Sequence, residues 1–494
     1  MGTKLLVVGI DALDSDQVAK YESDLPNLSQ LRRECPNITL HSVCPPDSDT
    51  AWASIHTGMN PAKHGIVQYV DPLEKSTRYV SSDIDNRSIR GQTYWDIAGR
   101  SGKRVCILFP HLGYPVWSVN GIMVGRSAIK DDVTACPRSI ASQYDLSEMN
   151  VVKGMLGQRK LAYITASERL LSAQSEFALQ MLQQEDWDIF FVYTSVLDMI
   201  QHYFWNLCDE SDPSYPGDNP FRDTIKMFYI LHDQMIGGLL STIDSDTTTI
   251  ILSDHGHGMR PVQVFDVNEF LRQKGLLVQK TASVEKDISR FVDQIKNYAL
   301  GIVSKYGLGT LASKMLRLMP WFRKLYTSPV SIDWEQTTAF ATNLSGIKAY
   351  AYSGIVLRRD RLDVSQYEDV REALIRDLSE FIDPKSGEKL VKWIYRREDV
   401  YEGPYISKYP DIVFELRGGF GVGLTSSGSL FGKSHSHHLV PGSHKGDSAM
   451  FLLLNAKYPP CRQEMNLMDV APTILGVLGI EHPGELDGKS IFKS

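Results

Sequence analysis

Chemistry-bearing side chains gather in a few short stretches of the sequence. Asp198-x-x-x-His202 sets a carboxylate and an imidazole four residues apart. On a helix that spacing puts both on one face and suits two ligands of one metal ion. Asp254-His255-Gly256 offers two adjacent ligands, with a glycine that relieves crowding beside them. Ser48 lies in Pro46-Asp47-Ser48-Asp49-Thr50, read as a turn leading into a helix, where a hydroxyl is set for nucleophilic attack. Asp11 closes the apolar opening run. Taken singly, each of these residues is more simply a helix cap, a surface group or a satisfied core group; the set is what points to chemistry.

Hydropathy shows the elements that have to bring them together. Lys4-Leu5-Leu6-Val7-Val8-Gly9-Ile10, Asp188-Ile189-Phe190-Phe191-Val192-Tyr193 and Thr248-Thr249-Ile250-Ile251-Leu252-Ser253 are short, continuous apolar runs. Such runs are expected of strands buried on both faces of a parallel sheet. Each leads into polar residues: Asp11, then Asp198, then Asp254 with His255. Helical spacing occupies 166–184 and 224–242 between them. Alternating strands and helices predict a doubly wound, mostly parallel α/β sheet, in which ligands bind outside the strand carboxyl ends. After about residue 262 the pattern changes, with helices expected over 287–298, 308–326 and 367–382 and β-rich structure over 347–357. We read 262–440 as an inserted α+β cap between a first core part, 1–261, and a closing core part, 441–494. The closing part holds a strand over 449–454 and a last helix over 468–478. Residues 418–421 and 425–428 read as tight or flexible turns.

The 494 residues exceed the ~150 typical of one domain. Lys and Arg number 52 against 59 Asp and Glu, a net charge of −7, with 43% hydrophobic residues, the balance of a soluble globular protein. Without a basic excess to release counterions, the composition argues against general nucleic-acid binding. No apolar run approaches the ~18–20 residues of a transmembrane segment, and the first residues lack the parts of a signal peptide. Leu6 stands where a myristoylation signal needs Ser or Thr. Six scattered cysteines without a C-x-x-C pair read as reduced thiols. The expected setting is the cytoplasm; the sequence sets no oligomeric state.

In chain order, Gly9-Ile10-Asp11, the Ser48 segment through Thr57-Gly58 and His64-Gly65-Ile66, Asp198 with His202, Ser253-Asp254-His255-Gly256 and Gly442-Ser443-His444 resemble the alkaline phosphatase superfamily. The resemblance is to its nucleotide pyrophosphatase/phosphodiesterase branch of two-metal hydrolases. Trp334-Glu335-x-Thr337, Tyr401-x-Gly403-Pro404-Tyr405, Pro410-Asp411 and Pro472-Thr473-Ile474-Leu475 resemble a bacterial and archaeal group of that branch, described as predicted phosphohydrolases or phosphomutases. The resemblance implies an alkaline phosphatase-like fold and two divalent ions, zinc first and manganese as the alternative. Asp198, His202 and His444 match one metal site. Asp11, Ser48, Asp254 and His255 match the other, with Ser48 as nucleophile where the branch more often has threonine. The C/S-x-P-x-R context of sulfatases is missing from Cys44-Pro45-Pro46-Asp47-Ser48.

Phosphoryl transfer suits this set on physical grounds. Serine is scarcely ionised at neutral pH, and a divalent ion lowers that cost, as it lowers the pKa of water from 15.7 to about 7. The expected activity is hydrolysis of small-molecule phosphoric esters through a covalent phosphoserine. Two divalent ions against Asp11, Asp198, Asp254 and an ionised Ser48 leave a formally neutral cluster, which places a monoanionic diester first. A dianionic monoester is helped by a further cation; Lys63, Arg87, Arg90 and Lys445 stand near the motifs, though no spacing carries any of them to the site. A phosphomonoesterase or phosphomutase is the alternative among enzymes. A non-catalytic membrane- or partner-binding protein on the same fold is the alternative of another class.

Other motifs have plainer readings. Ser434-His435-Ser436-His437-His438 reads first as a mobile polar loop. His64 and His257 read as groups that support the site rather than as ligands. Phe109, Tyr114 and Trp117 are core aromatics before they are a pocket lining, and the basic, bulky run 315–324 is an amphipathic cap helix before it is a membrane contact.

Overall fold

The computed structural model describes residues 3–71, 76–79, 89–127, 132–150, 152, 160–280, 332–344, 350–426, 428–434, 436–481 and 483–493. The helices expected over 287–298 and 308–326, the run 315–324, residues 347–349, Arg87, residue 427 and His435 lie outside the described residues. The chain divides into two compact units, one of Met1–Ile66, Asp83–Gly258 and His444–Ser494, the other of Val67–Ser82 and Met259–Ser443.

Seven strands of the first unit form one sheet: β1 (Leu5–Ile10), β2 (Val105–Leu108), β3 (Gly121–Ser127), β4 (Asp132–Cys136), β5 (Ile189–Thr194), β6 (Thr248–Leu252) and β7 (Phe451–Leu454). Their order is β7-β6-β1-β5-β2-β3-β4. The five inner strands run parallel, and β4 and β7 are antiparallel edges. The mostly parallel α/β sheet is therefore as expected. Every residue of β1, β5 and β6 is buried, because both faces of the inner strands are covered. Leu5 and Val7 join Trp52, Trp95, Ile107, Phe191 and Ile250 in the core on one face, and pleating sends Leu6, Val8 and Ile10 to the other.

Helices of the same unit include α1 (Ser48–Thr57), α2 (Lys160–Gln184), α3 (Val196–Cys208), α4 (Thr224–Leu240) and α5 (Val470–Val477). Helix α1 starts at Ser48 and ends at Gly58, whose φ of 68° closes the last turn without a Cβ penalty. Residues Thr50 to Thr57 are all buried, so the helix lies inside the core. Register aligns the strand ends: Ile10 pairs with Thr194 and Gly9 with Leu252, and the Asp11 N–H donates to the Thr194 carbonyl at 3.0 Å. The segments after β1, β5 and β6 thus emerge at one edge of the sheet.

The second unit has its own antiparallel sheet, in the order Ala339–Thr342, Tyr352–Leu357, Ile412–Leu416, Val391–Arg396. Phe265, Phe340, Ile355, Leu374 and Phe414 belong to its core. The helix expected over 367–382 runs Val364–Ser379, capped by Asp363. In place of the mobile polar loop expected at 434–438, Ser436–Leu439 forms one helical turn with His437 buried; burying an imidazole and the Ser434 hydroxyl ties that segment down. Among the described residues no helix is long and apolar enough to cross a membrane, and no disulfide joins any of the six cysteines.

Candidate metal centre

The seven residues matched to metal sites come together beyond the carboxyl ends of β1, β5 and β6. Only Ser195 separates β5 from α3, which carries Asp198 in its first turn and His202 one turn later. Gln201 of the same helix donates to the Ala12 carbonyl at 2.9 Å, tying α3 to the turn after Asp11. Ala12 adopts φ 59°, an uncommon conformation for a residue with a Cβ, and its N–H donates to Asp254 Oδ1 at 3.3 Å. Gly256 is required for close packing: a Cβ there would lie 1.9 Å from Ser448 Oγ and 2.5 Å from Asp14 Oδ2. His444 comes from the strand Gly442–Lys445.

Two clusters result. Asp198 Oδ1, His202 Nε2 and His444 Nε2 form a triangle with edges of 3.4, 3.0 and 3.5 Å. Ser48 Oγ lies 3.4 Å from Asp11 Oδ1 and 3.3 Å from His255 Nε2. His255 Nε2 is in turn 3.5 Å from Asp11 Oδ1 and 3.2 Å from Asp254 Oδ2. The His255 and His444 rings stack with centroids 3.8 Å apart, so the clusters adjoin.

These separations fit metal ions. Tetrahedral coordination with donors at about 2.0–2.1 Å sets donor–donor edges near ~3.3 Å. The six Asp and His donors are buried; Ser48 is partly exposed and open to a reactant. Among the described residues Asp198 Oδ1 and Asp254 Oδ2 are buried with no hydrogen-bond partner, a costly state that a cation relieves. Burial pushes the Asp254 carboxyl well above the usual range, and the charges of Asp11 and Asp198 add to it. Burial, then Asp198, raises Asp11 in the same way. His444 Nδ1 donates to the Pro46 carbonyl at 2.8 Å and His255 Nδ1 to the Gly256 carbonyl at 3.0 Å. Those bonds fix the tautomer and leave each Nε2 lone pair for an ion.

Several neighbours of the site escape sequence reasoning. Asp11 Oδ2 accepts from the Tyr193 hydroxyl at 2.5 Å and from Trp52 Nε1 at 3.3 Å. The Tyr193 hydroxyl meets His111 Nδ1 at 3.1 Å, and His111 Nε2 meets Asp49 Oδ1 at 2.7 Å. A tyrosine near the carboxyl end of a buried strand beside β1 was the only signal for this chain of contacts. His257 Nε2 is 3.6 Å from Asp198 Oδ1, with its ring against His202. His64 is structural, contacting Ser54 Oγ at 3.0 Å and accepting the Ile66 N–H at 3.0 Å. Phe109 packs on Phe177, Trp117 Nε1 donates to Asp96, and the Tyr114 hydroxyl donates to Asp132. Lys63 pairs with Asp487 at 2.8 Å, Lys445 with Asp14 at 3.2 Å and Asp16 at 3.0 Å, and Arg90 is exposed.

Comparison with known proteins gives this geometry a family. No curated protein sequence matches the chain. Phosphonoacetate hydrolase from Sinorhizobium meliloti 1021, in complex with phosphonoformate, is similar over 97% of this chain and 95% of that chain, with 15% identity and a TM-score of 0.56. The same enzyme with phosphonoacetate gives a TM-score of 0.54 at 15% identity, over 97% of this chain and 95% of that chain. Human ectonucleotide pyrophosphatase/phosphodiesterase 5 aligns over 99% of this chain and 97% of that chain, with 13% identity and a TM-score of 0.47. The likeness to the phosphonoacetate hydrolase is one of fold. The sequence model described as type I phosphodiesterase / nucleotide pyrophosphatase matches residues 5–286, the stretch that holds Asp11, Ser48, Asp198, His202, Asp254 and His255, and the chain belongs to that family.

Proposed function

We propose that the protein hydrolyses phosphoric esters at this centre, with Ser48 as nucleophile and two divalent ions, zinc first and manganese as the alternative. Asp198, His202 and His444 would hold one ion, and Asp11, Ser48, Asp254 and His255 the other. The observation that carries this reading is the position of Ser48 Oγ, 3.3–3.4 Å from His255 Nε2 and Asp11 Oδ1 at the first residue of a buried helix. Family membership supports it. When bound, the ions lower the cost of ionising a hydroxyl and offset negative charge that develops on the reacting oxygens.

The chain's own groups do the rest. Ser48 heads α1, whose leading N–H groups lack intrahelical acceptors and favour an anion at that end. Trp52 and Tyr193 hold Asp11 by Oδ2, which leaves Oδ1 facing Ser48. Ser48 Oγ forms a bond to phosphorus as the ester P–O bond breaks; the serine gives up its proton and the leaving alcohol gains one. Water then attacks the phosphoserine phosphorus, and the serine oxygen leaves and is reprotonated. Two displacements in sequence retain configuration at phosphorus. The reading keeps a cytoplasmic setting, supported by six cysteines that form no disulfide, and assigns substrate selection to the inserted segment 262–440.

Replacing Ser48 tests the proposal. A Ser48→Ala variant should lose about 10³-fold or more of its turnover of an aryl phosphodiester or monoester, while its circular dichroism stays that of the wild type. Undiminished hydrolysis by that variant refutes the assignment.

A further inference from the structure

His444 reaches its cluster by a different route from its two companions. Asp198 and His202 share helix α3, one turn apart, whereas His444 lies 242 residues beyond His202 on the strand Gly442–Lys445. That strand pairs with Gly256–Met259 in a sheet of two. A two-stranded ladder is marginal by itself.

Arg260, the residue after the partner strand, takes three successive carbonyls just ahead of His444. Its backbone N–H donates to Pro441 at 2.7 Å. Its side chain donates from Nε to Val440 at 2.5 Å and from Nη2 to Gly442 at 2.8 Å. Arg260 is 1% exposed, and its guanidinium carbon lies 4.9 Å from the centroid of the Tyr350 ring.

Among the described residues Arg260 makes no ion pair, and its Nη1 is buried without a hydrogen-bond partner. Taking a guanidinium out of water with no counter-charge is costly, and an aromatic face with two carbonyls offsets only part of that. For stability alone an apolar side chain of similar volume serves as well or better. What no apolar side chain supplies is a grip on the carbonyls either side of Pro441, which a rigid fork of donors does.

We propose that Arg260 is the positioning residue for His444: by gripping residues 440–442 it sets the imidazole toward Asp198 and His202, and so governs the affinity of that one ion. The inference rests on the two-ion reading above. Asp11 and Asp254 follow strands β1 and β6 of the large sheet, so the ion beside Ser48 should be nearly indifferent to Arg260.

The test uses the full-length protein as wild type, Arg260→Met, Arg260→Lys and His444→Ala. Each is stripped of metal and titrated with zinc against a chelating indicator, and metal-free crystals of wild type and Arg260→Met are compared. The wild type should take up two ions. Arg260→Met, which keeps bulk but no side-chain donor, should bind one of them about 10- to 100-fold more weakly and the other within about 3-fold of wild type. His444→Ala should weaken the same ion, and Arg260→Lys should recover part of the loss. In the metal-free Arg260→Met crystal the His444 ring should be displaced by about 1 Å or more. Equal weakening of both ions, undiminished affinity for both, or an undisplaced His444 overturns the proposal. Arg260→Gln, with one amide donor for two carbonyls, serves the same comparison if the methionine variant does not fold. A wild type that takes up fewer than two ions would remove the two-ion reading; the metal-free crystals then decide the role of Arg260 alone, displacement of His444 upholding it and an unmoved ring overturning it.

Discussion

Trp52 lies against β1 only because position 9 carries no side chain: a Cβ on Gly9 would sit 2.7 Å from Trp52 Cη2. That contact brings the indole N–H to Asp11 Oδ2, so a glycine in the middle of a strand helps to aim a carboxylate at its end. A Gly9→Ala substitution should overpack this site at a cost of about 1–3 kcal/mol. By releasing Asp11 it should also weaken zinc binding by about 10-fold. Urea unfolding and competitive metal titration check both, and wild-type values in the two assays would contradict the account. At this scale the sequence discloses donors by residue type: Asp11, Asp198, His202, Asp254 and His255 announce a possible ion, and motif context adds Ser48 and His444. Tyr193 and His111 stay hidden because a single aromatic or imidazole ring looks the same in a core or on a surface until the fold decides what it touches.

Among the elements, the strands with continuous apolar runs were legible, and β3 was not. Gly121-Ile122-Met123-Val124-Gly125-Arg126-Ser127 mixes glycine, apolar and charged residues, so its periodicity signals nothing. Antiparallel pairing of β4 and β7 was equally out of reach, since side-chain alternation carries no information about strand direction. The short helix Pro61–His64, after α1, makes a pH prediction. Burial lowers the pKa of His64 to about 3, and its Nδ1 accepts the Ile66 N–H, so protonating that nitrogen breaks the bond. In the unfolded chain the same histidine titrates near ~6.5. Its contribution to stability is therefore complete above about pH 6.5, falls by about 1.4 kcal/mol per pH unit below that, and is gone near the folded pKa. The stability difference between wild type and His64→Gln should shrink by about 2 kcal/mol from pH 7 to pH 5. Denaturant midpoints at the two pH values measure it, and a pH-independent difference would show that His64 is not held neutral.

For the molecule as a whole, two compact units with separate cores predict unfolding that departs from a single two-state transition. Calorimetry should give a total enthalpy above the van't Hoff value. Added zinc should raise the transition of the unit that holds all seven donors, by mass action on its folded form; one transition with equal enthalpies, indifferent to zinc, would contradict this. The alternation of strands and helices made the large sheet readable, whereas the return of the chain to place His444 beside His255 is a long-range closure that no local pattern encodes. On the function proposed above, these distant segments build a paired ion site around Ser48. Anomalous diffraction at the zinc edge from zinc-loaded crystals tests it most directly. Two peaks are expected, one within about 2.3 Å of donor atoms of Asp198, His202 and His444, the other likewise beside Asp11, Asp254 and His255 next to Ser48. A centre without density at either position, or with a single ion and no second, would contradict it.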